Sequence, residues 1–204
     1  MKLDRLQSLP DRLKSNVVVR KIAEGQRLFR QGDRSTNLYI IQQGGFKNIR
    51  HVNNNKIATI QLLACGESLG ETSLFFNTYL STAIAQVDSE VIAYPKEILL
   101  SAIAECPELL TDVLKLLCNR IYDLQLRLEW RDIKLSQDRI LQYLKHQAFV
   151  NNSQIVNFDF PLQAIASELG FVPETLSRAL GKLEQEERIE RQQNTIILQD
   201  FSVA

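Results

Sequence analysis

The chain has 204 residues, of which 45% are hydrophobic, and its 24 Lys and Arg residues balance its 24 Asp and Glu residues. This length and composition suffice for one large domain or two small ones with a real hydrophobic core. The balanced charge excludes binding to nucleic acid through a general excess of positive charge, so any such binding must come from the local placement of charge.

The cysteines and the apolar runs indicate the compartment. Cys65, Cys106 and Cys118 are odd in number and lack the spacing of a metal site, which is typical of reduced thiols in a cytosolic protein. No charged and then apolar leader opens the chain, and no apolar run reaches the roughly 18 residues of a membrane span. We therefore expect a soluble cytoplasmic protein with no membrane partner.

The first half of the chain has the pattern of short strands separated by turns. Its β-rich runs LYII, FKNIRHV and KIATIQLL are separated by Gly-Asp, Gly-Gly and Asn-Asn-Asn. Turn signals at this spacing favour an antiparallel barrel or sandwich rather than βαβ units. We predict such a domain over residues 1–106, with a last strand that ends near Pro95.

After Pro107 the period changes to that of one long helix, which we predict over residues 107–135. Pro107 suits the first helical turn, and neither Pro nor Gly follows it until Pro161. A coiled-coil seam with alternating spacings of four and three is formed by Leu110, Leu114, Leu117, Ile121, Leu124 and Leu128, and resumes at Leu135 after a break at Arg131.

A second apolar stripe on the same helix consists of Leu109, Val113 and Leu116. A helix with one apolar stripe packs on its own domain, and a second stripe implies a further partner. We predict that the helix packs on the first domain and pairs with its own copy in a homodimer. The alternative is a helix that is buried on two sides within a monomer.

Residues 136–204 alternate short helices with a terminal hairpin. Ser136 is a candidate N-cap for the first helix. Two further helices are joined through Leu169-Gly170-Phe171, and RIERQQNTIIL is typical of two strands around a polar turn. This order predicts a winged helix-turn-helix, which makes the whole chain α+β.

The second helix of this motif carries the candidate DNA-binding residues. Pro173 stands at its first position, and Leu176, Leu180 and Leu183 mark its buried side. Its exposed side is predicted to carry Glu174, Thr175, Ser177, Arg178 and Lys182. A carboxylate can accept from cytosine N4, an Arg can donate twice to guanine, and Thr and Lys suit phosphate contacts. The alternative is a helical hairpin with an ordinary solvated face.

The charge of this region argues for selective rather than general DNA binding. From Lys134 onward the chain has seven basic residues against nine acidic ones. Non-specific affinity depends on neutralising phosphates and should therefore be weak. Binding would depend on helix N-termini, base contacts and two-fold symmetry.

This order of elements resembles the superfamily of the cyclic-AMP receptor protein and the fumarate–nitrate reduction regulator (CRP/FNR). The resemblance covers essentially the whole chain and is carried by LFRQGD (28–33), LYII, Gly70-Glu71 and LGFVPETLSRALGKLE (169–184). It implies an N-terminal β-roll (residues 1–106), a dimerisation helix (residues 107–135) and a DNA-binding winged helix-turn-helix (residues 136–204).

The pattern of Glu174, Ser177 and Arg178 is similar to the branch of this superfamily that responds to oxygen and nitrogen oxides and binds TTGA-type half-sites. That similarity implies that Glu174 and Arg178 contact bases on opposite strands and that Ser177 helps to bind a thymine. The cyclic-AMP branch has an Arg one residue before this Glu, where this chain has Pro173. We therefore expect no TGTGA half-site. The resemblance also includes RNA polymerase as a further partner.

The segment GESLGETSLFFNTYLST (66–82) corresponds to the cyclic-nucleotide cassette of the family. Glu71 matches the ribose-binding Glu, but Ser81, followed by Thr82, stands where the family has the phosphate-binding Arg, and Leu124 and Gln125 replace two adenine-contacting hydroxyl residues. A buried phosphate without a counter-charge is costly. We expect no response to cyclic AMP unless Arg27, Arg30 or Arg50 reaches into the pocket formed by Gly70, Glu71, Ser81, Thr82 and Leu124.

Other sensors leave the identity of a cofactor or effector open. An iron–sulfur cluster needs four thiolates, and this chain has three cysteines, none before Cys65. Haem remains an alternative with His51, His146, a Cys, Met1 or the N-terminus as ligand, although both histidines are expected at the surface. An apolar effector could bind against SLFF (73–76), Leu62, Leu63, Ile84 and Val87, which also match a plain core. Regulation without any ligand is a further alternative.

Two other classes of function compete with a transcription regulator. We expect no enzyme, because the sequence has no nucleophile–base pair, metal cluster or P-loop, and only two His for acid–base chemistry. A stand-alone effector-binding module is the alternative, and the predicted helix-turn-helix argues against it.

Overall fold

The computed structural model describes residue 13 and residues 15–52, 56–158 and 160–199. The chain divides into two compact units, Met1–Leu116 and Leu117–Ala204. The N-terminal residues, including Met1, lie outside the described part of the chain. None of the described helices is both long enough and apolar enough to cross a membrane.

The first unit contains eight described strands in two antiparallel four-stranded sheets. The strands are β1 (Val18–Ile22), β2 (Arg27–Phe29), β3 (Asn37–Gln43), β4 (Gly45–Val52), β5 (Lys56–Ala64), β6 (Ser68–Leu69), β7 (Thr82–Ala85) and β8 (Ser89–Pro95). One sheet has the order β1-β8-β3-β6 and the other β2-β7-β4-β5. The predicted antiparallel β domain, including a last strand that ends at Pro95, is confirmed.

Stacked aromatic residues lie in the core of this β domain. The Phe29 ring stacks on Tyr79 with 4.0 Å between ring centroids and on Tyr39 with 5.8 Å. Leu62 and Leu63 are buried as expected, but the prediction that SLFF (73–76) lines the interior is wrong for its two aromatic residues. Phe75 is 84% exposed and Phe76 is 53% exposed. A turn closed by the Phe76 N–H on the Ser73 carbonyl directs both rings outward.

A helix that the sequence pattern did not predict follows the last strand. Helix α1 (Lys96–Glu105) buries Leu99 and Ala102 in a second apolar cluster. Leu109 and the half-buried Val113 belong to the same cluster. The predicted packing of the second stripe on the first domain is therefore confirmed for Leu109 and Val113.

Helix α2 (Pro107–Asp132) is the predicted long helix, and the boundary between the two units falls within it. The helix ends at Asp132 and not at the predicted Leu135. Directly after Asp132, the Ile133 N–H donates to the Trp130 carbonyl and forms a tighter turn. Leu135 is thus not part of the helical seam, although it is exposed.

The second unit continues with helix α3 (Ser136–Asn151), whose N-cap is Leu135, so the prediction of Ser136 as N-cap is wrong. Ser136 is instead the first helical residue, because the extended backbone that an N-cap requires occurs one residue earlier. The remaining elements are strand β9 (Ile155–Asn157), helix α4 (Leu162–Leu169), helix α5 (Pro173–Gln185), β10 (Ile189–Gln192) and β11 (Thr195–Leu198).

Strands β10 and β11 form the predicted antiparallel hairpin, and β9 adds a third strand to give the order β10-β11-β9. The unpredicted β9 has only three residues, which is too short for a sequence pattern. The second unit has the fold of a winged helix-turn-helix, as predicted.

Candidate nucleic-acid interface

The turn between α4 and α5 fixes the start of the exposed helix. Gly170 ends α4 with φ of 74°, in the left-handed region that favours glycine. The Phe171 N–H donates to the Ala166 carbonyl at 2.8 Å, which closes the end of α4. Pro173 then begins α5 with a φ suited to the first helical turn. The sequence therefore determines where α5 starts.

Helix α5 has one buried and one exposed face. Leu176, Leu180 and Leu183 are completely buried, and Ala179 is 3% exposed. The five predicted DNA contacts lie elsewhere on the helix: Glu174, Ser177, Arg178 and Lys182 are exposed and Thr175 is half-buried. Their functional groups are thus available on one stable scaffold, which is what a helix needs to bind in the major groove.

The side chain of Arg178 is held against its own helix. Its Nε donates to the Glu174 carbonyl at 3.2 Å. This bond uses one of the five N–H donors of the guanidinium and leaves both terminal nitrogens for a bidentate contact with guanine. Arg178 is therefore oriented by its own helix.

The hairpin next to α5 adds polar residues that the sequence analysis did not select. Its turn has Gln193 at φ of 52°, and Arg191, Gln192 and Asn194 are exposed around it. Arg191 also donates its backbone N–H to the Glu184 carboxylate at 3.3 Å. A basic and amide-rich turn beside an exposed helix suits phosphate contacts, and the run of polar residues between two strands was its signal in the sequence.

Within the predicted seam of α2, four of the five positions from Leu114 to Leu128 are exposed. Leu114 is 52% exposed, Ile121 57%, Leu124 45% and Leu128 61%, while Leu117 is half-buried. Solvent-exposed leucines at heptad spacing on one helix are typical of a surface that pairs with another helix.

The cassette residue Gly70 has a structural reason to be glycine. Its φ is 90°, and a Cβ placed on it would lie 3.1 Å from the Asn37 carbonyl oxygen and 3.3 Å from the Tyr79 ring. The Tyr79 hydroxyl in turn donates to the Asn37 carbonyl at 2.8 Å. Gly70 thus allows the close packing of Tyr79 against strand β3.

The other cassette residues are buried within the β domain. Glu71, in a 3₁₀ turn, and Ser81 are each 8% exposed, and Thr82 is 2% exposed. The Thr82 hydroxyl accepts a hydrogen bond from the Gln31 N–H at 2.9 Å. Leu124, the remaining residue of the predicted pocket, belongs to the second unit and is exposed.

The positively charged residues near the cassette segment (66–82) do not supply a buried charge within it. Arg27, Arg30 and Arg50, which could have replaced the missing phosphate-binding Arg, are all exposed. Lys96 lies beside the cassette, and its Nζ donates to the main-chain carbonyl of Phe76 at 2.7 Å. Its positive charge is thus paired with a backbone oxygen.

The two histidines differ in environment. His51 is exposed, as expected, and its backbone N–H donates to the Gln31 side chain at 2.8 Å. His146 was also expected at the surface, but its side chain is only 15% exposed and its Nε2 lies 3.4 Å from Asp123 Oδ1. The His146 side chain is covered by Trp130, whose ring packs edge-on against it with 5.5 Å between ring centroids.

The Asp123–His146 pair joins helices α2 and α3. Burial raises the pKa of the Asp123 carboxyl, but the hydrogen bond and charge of His146, with Arg120 and Arg127, outweigh burial and hold that pKa below its usual range. The three cysteines are free thiols, and no described group of three or more His, Cys, Asp or Glu could hold a metal ion.

Two protein families match this chain, one in each of its two units. Residues 19–106 match the family of cyclic nucleotide-binding domains, and residues 121–202 match the family of Crp-like helix-turn-helix domains. The first match covers the β domain and helix α1, and the second covers most of the second unit.

Similar proteins match this chain over about half or over most of its length. A lysophospholipase nte1 of Aspergillus fumigatus is 30% identical over 105 residues, which are 51% of this chain but only 7% of that protein. The cyclic AMP receptor protein of Thermus thermophilus is 29% identical over 167 residues, 80% of this chain and 75% of that protein. The fumarate and nitrate reduction regulatory protein of Vibrio cholerae is 27% identical over 192 residues, 91% of this chain and 74% of that protein.

Among solved structures, FixK2 from Bradyrhizobium japonicum has the same fold, with a TM-score of 0.78 over 92% of this chain and 99% of that chain at 14% identity. The β domain, the long helix and the winged helix-turn-helix thus occur together in this chain as they do in FixK2. The chain belongs to the CRP/FNR family of DNA-binding transcription regulators.

Proposed function

We propose that the chain acts as a homodimer that binds an inverted repeat of TTGA-like half-sites and regulates transcription without cyclic AMP. The observation that carries this proposal is the exposed face of α5, where Glu174, Ser177 and Arg178 stand on a helix whose opposite face is buried. The three residues have the types and spacing of the branch that binds TTGA. A regulator of this kind acts in the cytoplasm, and RNA polymerase is its natural further partner.

Two roles are distinguished within the interface. Glu174 and Arg178 contact bases, with the carboxylate accepting from a cytosine N4 and the guanidinium donating to guanine O6 and N7, and Ser177 helps to bind a thymine. Thr175 and Lys182 contact phosphates and position the helix without selecting sequence. The two roles predict different consequences of substitution. Loss of a base contact should change the sequence specificity of binding, and loss of a phosphate contact should change its salt dependence.

The dimer is supported by the exposed leucine seam of α2. Pairing of Leu114, Leu117, Ile121, Leu124 and Leu128 with the same residues of a second copy would remove this apolar surface from water. A two-fold dimer presents two recognition helices about one turn of DNA apart, roughly 34 Å. The functional segments are then the β domain (1–106), the pairing segment (107–135) that contains helix α2, and the DNA-binding domain (136–204).

Independence from cyclic AMP is supported by the cassette. Ser81 is buried where a counter-charge for the phosphate is needed, and the three candidate arginines are exposed. The polar groups of Thr82 and Tyr79 already have partners within the β domain. Burying a cyclic phosphate here would carry its desolvation cost without a matching cation.

The test is a fluorescence-anisotropy titration of a labelled duplex that carries a TTGA inverted repeat, with half-site centres about one helical turn apart. The proposal predicts saturable binding that is at least about 10³-fold tighter than binding to a scrambled duplex of the same composition. Equal binding to both duplexes would refute it and would favour the stand-alone effector-binding module. Addition of cyclic AMP should not change the affinity.

A further inference from the structure

We propose that Arg139 is a positioning residue that fixes the direction of the recognition helix α5 relative to the end of helix α2. This inference rests on the proposed DNA-binding function. All of its contacts lie within the second unit, where Arg139 is in the first turn of α3, between the end of α2 and the helix-turn-helix.

The first set of contacts joins Arg139 to the end of α2. Its Nη2 donates to the Ile133 carbonyl at 2.8 Å and to the Arg131 carbonyl at 3.1 Å. Because α2 ends at Asp132, the Arg131 carbonyl is one of the last four, which have no partner within the helix. A positive charge is also favoured at the negative end of the helix dipole. Arg139 thus closes the C-terminus of α2.

The second contact joins the same guanidinium to the turn of the helix-turn-helix. Its central carbon lies 4.9 Å from the centroid of the Phe171 ring. Phe171 is the residue after Gly170 and stands two positions before Pro173, where α5 begins. The guanidinium of Arg139 therefore makes two kinds of contact. Its edge donates hydrogen bonds to the end of α2, and its face lies over the ring of Phe171 in the turn before α5.

A lysine could not make both sets of contacts. Its ammonium is a compact charge without a flat face, whereas a guanidinium donates from its edge and stacks through its face. The buried Nε of Arg139 has no hydrogen-bond partner among the described residues. The two carbonyls and the ring, rather than Nε, therefore account for the position of the side chain.

Other contacts strengthen the junction but do not reach the turn before α5. Arg127 of α2 lies 2.7 Å from Glu168 of α4, whose side chain is 6% exposed. Asp123 of α2 pairs with His146 of α3. These contacts join α2 to the first helices of the unit, whereas Arg139 acts at the entry to the recognition helix.

Loss of the Arg139 contacts should affect how the two recognition helices of a dimer bind together, and not how each helix binds its own half-site. In a dimer, the second half-site binds at a high effective concentration only if both helices are held at the spacing of the DNA grooves. A looser junction leaves the contacts of one helix with one half-site unchanged. It lowers the affinity for the complete repeat and the preference for its spacing.

The experiment compares Arg139→Gln with Lys134→Gln, which removes the same charge from an exposed residue of the same junction. Affinity is measured for the inverted repeat, for repeats with the spacer one base pair longer or shorter, and for a single half-site. We expect Arg139→Gln to lose about tenfold on the correct repeat, because a looser junction lowers the effective concentration at which the second half-site binds. Its preference among spacers should fall, with half-site affinity and dimer mass unchanged.

Two further variants distinguish positioning from general stability. Phe171→Leu keeps an apolar side chain but removes the ring, and it should reproduce the loss of spacer preference even if Arg139→Gln does not fold. Arg139→Lys should not rescue it, and Lys134→Gln should match the wild type. Equal losses on the repeat and the half-site, or no loss in either Arg139→Gln or Phe171→Leu, would overturn the inference. A wild-type chain without any sequence preference would instead refute the proposed DNA-binding function itself.

Discussion

The cassette segment (66–82) and the recognition helix α5 use similar residue types in opposite ways. In the cassette, the polar residues Glu71, Ser81 and Thr82 are buried, and the Thr82 hydroxyl bonds to a backbone N–H of the same domain. In α5, Glu174 and Arg178 are exposed, and the guanidinium keeps its terminal nitrogens available. One segment uses its polar groups to hold the fold, and the other presents them to solvent.

This difference shows that a family motif can have a structural role of its own, whether or not its ligand binds. Gly70 is required by a left-handed φ and by the nearby Asn37 carbonyl, whether or not a ligand binds. Glu174 and Arg178 have no comparable role in the fold, because neither contributes to a buried cluster. Substitutions in the two regions should therefore affect different properties.

The largest effect is expected from a charge placed in the seam on which the paired α5 helices depend. Ile121→Arg buries an unpaired charge in each copy of the dimer, at about 3–5 kcal/mol, and should lower operator affinity at least about 100-fold. Analytical ultracentrifugation should show a monomer. Asn119→Arg adds the same charge on an exposed position outside the seam and should remain dimeric with normal affinity. A monomeric Ile121→Arg protein with full operator affinity would refute the role of the seam.

The next effect concerns α5 itself. Arg178→Ala and Glu174→Ala should each cost about 1–3 kcal/mol per half-site and relax specificity at one base pair, with the melting temperature unchanged because both residues are exposed. Lys182→Ala is the control for a phosphate contact and should weaken binding evenly across sequences and reduce its salt dependence. Titrations of matched and single-substituted duplexes at several salt concentrations measure both. A normal affinity and specificity in Arg178→Ala would remove α5 as the recognition element.

A smaller effect is expected in the cassette, and on stability instead of DNA binding. Gly70→Ala and Gly32→Ala both place a side chain at φ of 90°, but only Gly70 has described neighbours within 4 Å of the added Cβ. We expect each to lose about 1–3 kcal/mol of unfolding free energy from backbone strain, with the larger loss for Gly70→Ala. Urea denaturation measures the difference. Equal losses would show that the packing of Tyr79 against Gly70 is unimportant.

The smallest effect is expected from cyclic AMP. A ligand at 100 times its dissociation constant adds about 2.7 kcal/mol to the stability of a folded protein, which raises the melting temperature by several degrees. We expect no measurable shift with cyclic AMP at millimolar concentration, because the cassette has no buried cation for the phosphate. A clear upward shift would mean that the segment still binds a cyclic nucleotide.

The sequence was most informative where structure depends on local residues. The start of α5 was predictable because Gly170 and Pro173 impose their backbone angles on neighbouring residues, and its buried face followed from helical spacing. The strands β3, β4 and β5 were predictable because turn residues separate them. The exposure of the α2 seam was likewise implied by its heptad spacing.

Features that depend on distant contacts were missed. Helix α1 follows β8 directly, and Pro95, which ends the strand, is also the N-cap of the helix. Phe75 and Phe76 were expected inside because they are apolar, but the turn at Ser73 directs them outward. The contacts of Arg139 depend on where α2 ends and on how α3 then runs to the turn at Phe171, which the spacing of residues does not determine.

The most direct test of the account is selection from a random pool of duplex DNA by the wild-type chain and by a Glu174→Ala, Arg178→Ala double variant. We expect the wild type to enrich an inverted repeat of TTGA-like half-sites about one helical turn apart, without any added ligand, and the double variant to enrich no such repeat. Enrichment of the same repeat by both proteins, or of no sequence by the wild type, would contradict it.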